Sequence, residues 1–144
     1  MPQLPELFGH RVYLDANVVI HLVEGSRAHA AALAAFMDDL RGKAFTAVTS
    51  ALTLTELLVP AFRQDRWSET KRLRAFLEDG PIEMIDPTRE AYVEAARYRS
   101  ECDLSALDAL HVACAIEAGC TIFLTQDQAI RVPDPLKRLR LENL

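Results

Sequence analysis

The sequence predicts an α/β fold, with a largely parallel sheet and helices on both faces. Three observations carry this. Short apolar runs that read as strands alternate with longer segments of helical periodicity along the whole chain. The run from Thr121 to Leu124 (TIFL) reads as a strand buried on both faces. The segment before it, from Ser105 to Gly119, is apolar nearly all round, as in a buried helix. In sheets of this kind the crossovers are right-handed and ligands bind beyond the carboxyl ends of the strands.

Taken in order, Arg11 to Leu14 (RVYL) is the first strand, with Asp15 at its end. Val18 to Val23 begins a helix for which Asn17 is a candidate cap, and Gly25 interrupts it. Leu33, Phe36, Met37 and Leu40 keep helical spacing up to Gly42. Ala44 to Val48 reads as the second strand. Leu54, Leu57, Leu58 and Ala61 form a helical stripe, and Thr53 and Glu56 have the spacing of a capping box. Pro60 lacks an N–H and crowds the carbonyl of Glu56, which predicts a bend or an end there. After a polar stretch from Arg63 to Lys71, Leu73, Phe76 and Leu77 mark a helix closed by Gly80 and Pro81. Ile82 to Ile85 is the third strand. Thr88 caps a helix bearing Tyr92, Ala95, Ala96 and Arg99.

Ser105 and Asp108 repeat the capping-box spacing at the head of the buried helix, whose apolar positions include Leu107, Leu110, Cys114 and Ala118. Gly119 stands where a left-handed cap is expected. The TIFL strand comes next, with Asp127 just past it, and Leu139 to Leu141 adds a further strand. No repeat, low-complexity tract or linker divides residues 1–144, so one domain is expected.

Half of the 144 residues are hydrophobic and the net charge is −5. That composition suits a globular protein and argues against one coated in positive charge for nucleic acid, though a local basic groove stays open. The N-terminal MPQLPELFGH lacks a basic start followed by an apolar core, and no apolar run reaches membrane-spanning length. Cys102, Cys114 and Cys120 are odd in number and have no CxxC spacing. They read as reduced thiols, and a cytoplasmic location is expected.

Four acids stand where chemistry would be expected. Asp15 and Asp127 follow strands, so both reach the carboxyl edge of the sheet. Glu56 and Asp108 lie near the starts of helices that can face that edge. Two unit charges about 5 Å apart repel by roughly 3 kcal/mol at an effective dielectric near 20. A divalent cation reverses that sign, and hard oxygen ligands suit Mg²⁺ or Mn²⁺. Hydrolysis of a phosphodiester by metal-activated water is the natural reaction of such a site. Asp108 has a second reading, as a capping acid favoured by the helix dipole.

The segments YLDANVVI, TSALTLTELL, SALDALHVACA and FLTQD, in this order, resemble the motifs of PIN-domain ribonucleases. The VapC-type toxins of bacterial toxin–antitoxin pairs are the group they resemble most, and the likeness runs from Val12 to Asp127. It implies a three-layer α/β/α sandwich with a mainly parallel sheet that hydrolyses RNA with Mg²⁺ or Mn²⁺. It also implies a cognate antitoxin and a homodimer. The family's acids fall on Asp15, Glu56 and Asp108, with Asp127 as a more variable fourth. Asn17 and Thr125 match supporting polar positions, whereas QDQAI departs from the aromatic ending common after the fourth acid.

Other residues carry paired readings. His111 is a metal ligand or, as nitrogen is not what Mg²⁺ prefers, a packed or hydrogen-bonded histidine. Asp103 is a supporting acid or a surface one. Arg63, Arg66, Lys71, Arg72 and Arg74 bind RNA phosphates or solvate a helix face. Trp67 stacks on a base or, the better expectation, buries its ring against the core. Two rival functions fit an acidic α/β pocket: a Mg²⁺-dependent phosphatase or phospho-receiver, and a non-catalytic PIN-like interaction domain. The first usually needs a lysine beside its aspartate, and none adjoins these four acids.

Overall fold

The computed structural model describes residues 4–25, 28 and 30–141; the first three residues of the stretch read for a signal peptide lie outside it. Five strands, β1 (Arg11–Leu14), β2 (Thr46–Ser50), β3 (Glu83–Ile85), β4 (Ile122–Leu124) and β5 (Lys137–Leu139), form one sheet. Its order is β3-β2-β1-β4-β5, and every neighbouring pair is parallel. The helices are α1 (Ala16–Glu24), α2 (Ala30–Arg41), α3 (Leu52–Arg63), α4 (Trp67–Asp79), α5 (Arg89–Glu101) and α6 (Ala106–Glu117). None is long and apolar enough to cross a membrane.

Two buried clusters give the three layers. Val12, Leu14 and Ala47 meet residues of α1 to α4 on one face, among them Val18, Phe36, Leu57 and Leu77. Tyr13, Val48 and Phe123 meet α5 and α6 on the other, through Ala91, Ala95, Val112 and Ala115. The alternation along each strand produces this split, because successive side chains point to opposite faces. It also sets the direction of the polar residue at the end of each strand. Asp15 shares the parity of Tyr13, Ser50 that of Val48, and Thr125 that of Phe123. All three polar residues are therefore aimed at the α6 side.

Several expectations need correction. α1 begins at Ala16 with Asp15 as its cap, so Asn17 lies inside the helix. α3 begins at Leu52 without a side-chain cap, and the Thr53 hydroxyl pairs instead with that of Thr49 at 2.7 Å. α3 also continues past Pro60 to Arg63. Gln64 N–H donates to the Pro60 carbonyl at 3.2 Å, so the last turn closes despite the lost donor. β2 starts at Thr46, later than expected, because Ala44 N–H is engaged by the Asp39 carbonyl in the turn after α2. β5 comes earlier, at Lys137–Leu139. Trp67 is 65% exposed, with its ring edge-on to Phe62.

The end of α6 agrees closely with the sequence. Gly119 has φ +73°, Cys120 N–H donates to the Ala115 carbonyl, and Gly119 N–H donates to that of Ile116. This is the Schellman pattern, whose left-handed residue favours glycine. The three cysteines are free, and burial raises the Cys114 and Cys120 thiols to about 11. Neither is a thiolate near neutral pH.

Candidate active site

The sheet order reverses at β1, which has β2 on one side and β4 on the other. Open parallel sheets open a crevice at such a point, outside the carboxyl ends of the strands. Asp15 and Thr125 are the residues that leave β1 and β4 there.

Asp15 serves three local purposes. Its N–H donates to the Leu124 carbonyl and so extends the ladder. Its own carbonyl accepts from Val18 N–H, which starts α1. Its carboxylate, only 4% exposed, is held by neutral donors. Oδ1 accepts from Ala16 N–H at 2.9 Å. Oδ2 accepts from the Thr125 hydroxyl at 2.8 Å and from Asn17 Nδ2 at 3.2 Å. Burial pushes this carboxyl above its ordinary value, and the charge of Glu56 adds to the rise. His111, the Thr125 hydroxyl and the Ala16 N–H oppose it.

Asn17 and Thr125 also tie neighbouring loops together. Asn17 Oδ1 accepts from Gln126 N–H at 3.2 Å, and Thr125 Oγ1 accepts from Asp127 N–H at 3.0 Å. The Asp127 carboxylate accepts from Ala129 N–H at 2.9 Å, closing a short turn, and the residue is exposed. The loop after β4 is thus fixed to the same two residues that hold Asp15.

Glu56 approaches from the other side. α3 starts directly beyond the carboxyl end of β2 and straddles the sheet edge. Leu52 packs with the α6-side cluster, whereas Leu57 and Leu58 pack with the opposite one. From that position Glu56 Oε1 lies 2.6 Å from His111 Nε2. An ionised carboxylate only accepts, so Nε2 carries the proton and donates it. The same Nε2 is 3.9 Å from Asp15 Oδ1. His111 is fully buried, and its Nδ1 is 2.7 Å from the Tyr13 hydroxyl, which lies 2.9 Å from Ser50 Oγ.

Asp108 is placed differently. It is half-buried and lies one turn before His111, a spacing that puts both on one side of α6. Its N–H donates to Ser105 Oγ at 3.1 Å. Its carboxylate has no hydrogen bond or ion pair among the described residues, so the reciprocal half of the capping box is not formed. The Ser105 hydroxyl caps this helix, and the Asp108 carboxylate stays available.

The structure therefore joins Asp15, Asn17 and Thr125 into one network and brings Glu56 to it through His111. Among the described residues, no three His, Cys, Asp or Glu side chains are gathered closely enough to hold a metal ion. Sequence reasoning missed the linking chain of Tyr13 and Ser50. The available signal was Tyr13 two residues before Asp15, on the same strand face. The basic run takes no part in this network. Arg63, Arg66, Lys71, Arg72 and Arg74 are all exposed on α3, α4 and the turn between them. Arg66 pairs with Glu69 at 2.6 Å and Arg74 with Glu78 at 2.9 Å, three and four residues along the chain.

Comparison with known proteins agrees with this architecture. The family model described as PIN domain matches residues 12–134. Among solved structures, a toxin–antitoxin complex from Klebsiella pneumoniae is 21% identical with a TM-score of 0.65, covering 87% of this chain and 94% of its own. VapC20 of Mycobacterium tuberculosis, a toxin that cleaves the sarcin–ricin loop, is 16% identical with a TM-score of 0.64, covering 83% and 92%. VapBC2 from Rickettsia felis, bound to a DNA fragment from its promoter, is 17% identical with a TM-score of 0.66, covering 90% and 98%. At these identities the likeness concerns the fold. No curated protein gives a significant match.

Proposed function

This chain belongs to the PIN-domain family, and from that premise we propose that it is a metal-dependent endoribonuclease, the toxin of a toxin–antitoxin pair. The observation that carries the reading is Asp15. It is a buried carboxylate at the carboxyl end of β1, braced by neutral donors, with Glu56 drawn toward it across one imidazole. The charge of Glu56 raises the Asp15 carboxyl further, and a divalent cation held by both acids reverses that repulsion.

The donors suit Mg²⁺ or Mn²⁺ in kind, being hard carboxylate oxygens. Asp15, Glu56 and Asp108 would hold the ion, with Asp127 as the fourth acid. When bound, such an ion supplies Lewis acidity toward a phosphate oxygen and acidifies a water molecule. The chain's own residues do the rest. Ala16 N–H, the Thr125 hydroxyl and Asn17 fix the Asp15 carboxylate before any ligand arrives. Thr125 also holds the loop that carries Asp127. His111 is fully buried and committed at both nitrogens, so it is not placed to take a proton from the attacking water. Attack of water on phosphorus, with departure of the 3′ oxygen, leaves a 5′-phosphate and a 3′-hydroxyl.

The substrate in this reading is RNA, its phosphates met by Arg63, Arg66, Lys71, Arg72 and Arg74. A cognate antitoxin and a homodimer belong to the same reading, and the toxin–antitoxin complexes among the structural neighbours support the first of these. The test is cleavage of RNA by the purified chain with Mn²⁺, with Mg²⁺ and with EDTA. Cleavage confined to the metal-containing reactions is expected. Cleavage that persists undiminished in EDTA overturns the metal dependence.

A further inference from the structure

We propose that His111 is the positioning residue for Glu56, itself held by Tyr13 and Ser50, and that this chain presents Glu56 to the divalent cation with one oxygen fixed and the other free. The inference rests on the metal-dependent reading of the site and adds to it a residue that never touches the substrate.

Four observations support it. First, Glu56 and Asp15 come from different elements, and the His111 imidazole is within reach of both. Its Nε2 is 2.6 Å from Glu56 Oε1 and 3.9 Å from Asp15 Oδ1. Second, Glu56 Oε1 is taken by that bond, whereas Oε2 has no partner among the described residues. The Glu56 side chain is 31% exposed and the histidine fully buried, so the bond anchors the acid from within. Third, the imidazole cannot swing away. Its Nδ1 is bonded to the Tyr13 hydroxyl, and its ring meets the Tyr13 ring edge-on at 5.7 Å. Fourth, Tyr13 is immobilised in turn. Its ring stacks on Phe123 at 5.4 Å and its hydroxyl bonds Ser50 on β2. β1, β2, β4 and α6 thereby fix one flexible glutamate on α3.

A histidine that merely filled the core would find its partners in the backbone or in other buried groups. This one spends its outward nitrogen on a half-exposed acid. Hydrogen bonds from groups behind a metal's ligands orient those ligands, and losing such a group typically costs about 10- to 100-fold in metal affinity or activity.

The experiment measures Mn²⁺ binding to the full chain by titration calorimetry and by the Mn²⁺-induced shift in melting temperature, alongside kcat and KM for RNA. His111→Leu is expected to weaken Mn²⁺ binding about tenfold and to lower kcat with little change in KM. His111→Gln, which keeps an N–H near the Nε2 position, should recover part of the affinity. Tyr13→Phe, which loses only the hydroxyl, should fall between the wild type and His111→Leu. If His111→Leu does not fold, Tyr13→Phe and His111→Gln carry the test. Folded variants that bind Mn²⁺ like the wild type overturn the positioning role. Wild-type protein that binds no Mn²⁺, or an Asp15→Asn variant that binds it equally well, overturns the metal site itself and this inference with it.

Discussion

Two groups of charge, the acids at the sheet edge and the cations on α3 and α4, stand out equally in the sequence, and the fold treats them in opposite ways. Asp15 is buried and accepts three hydrogen bonds from three residues. Glu56 is half-buried and held by a buried histidine. The cations are exposed, and two of them, Arg66 and Arg74, pair with glutamates of α4. Exposed pairs of this type contribute about 0–1 kcal/mol, because solvent screens them and the side chains lose freedom. Asp15 and Glu56 are thus set in place by the tertiary structure, while the cations stay exposed to solvent. A site that needs geometry is built from the first kind, and a surface that needs only charge from the second.

The largest expected effect breaks the comparison on the acid side. Asp15→Asn should lower kcat/KM for RNA by at least about a hundredfold, which corresponds to about 2.7 kcal/mol of transition-state stabilisation. Far-UV circular dichroism should stay unchanged. The wild type should also gain thermal stability with Mn²⁺ in excess, by about 2.7 kcal/mol at a hundred times Kd, and the variant should not. A variant that cleaves normally would remove Asp15 from the site.

Asp108 offers a sharper cut, because the structure separates its two readings. Ser105 supplies the cap, so Ser105→Ala should cost about 1 kcal/mol of stability and leave cleavage nearly intact. Asp108→Asn should do the reverse, with stability nearly unchanged and cleavage lost. Paired thermal melts and cleavage assays decide it. An Asp108→Asn protein that melts well below the wild type and still cleaves returns the residue to a capping role.

Acidity gives a further test on the acid side. The folded-state value of Asp15 is raised above its ordinary 3.8, chiefly by burial. The native state therefore binds this proton more tightly than the unfolded chain does. The resulting stability is fully present below the unfolded value and is lost as pH rises through the raised native value. Metal-free protein should show this fall in denaturant midpoint, and Asp15→Asn should flatten it. Identical slopes for the two proteins would mean that burial does not strain this carboxylate.

The smallest effect on the fold belongs to the basic side. Arg66→Glu with Arg72→Glu should leave stability within roughly 0.5 kcal/mol. RNA binding should weaken, and the slope of log K against log salt should become shallower by about 0.7 per lost single-strand phosphate contact. Binding and cleavage equal to the parent across a range of salt would make these residues solvating groups only.

Much of the molecule is decided by local pattern. The order of strands and helices comes from apolar spacing. The Ser105 and Thr88 caps, the Gly119 stop and the two-faced burial of Ile122 to Leu124 come from residue type and position. Placing Asp15 at the carboxyl edge needs only the end of RVYL and the rule for parallel sheets. What the sequence could not supply are facts about partners distant in the chain. That Asp15 rather than Asn17 caps α1 depends on the chain bending at the end of a ladder strand. That Thr53 bonds Thr49, leaving Glu56 to reach His111, depends on where α3 crosses the sheet edge. Trp67 stays exposed because the core beneath α3 and α4 is filled by Leu57, Leu73 and Leu77. Local signals reach a few residues along the chain, whereas the separation of 55 positions between Glu56 and His111 is bridged only when α3 and α6 pack at one edge of one sheet.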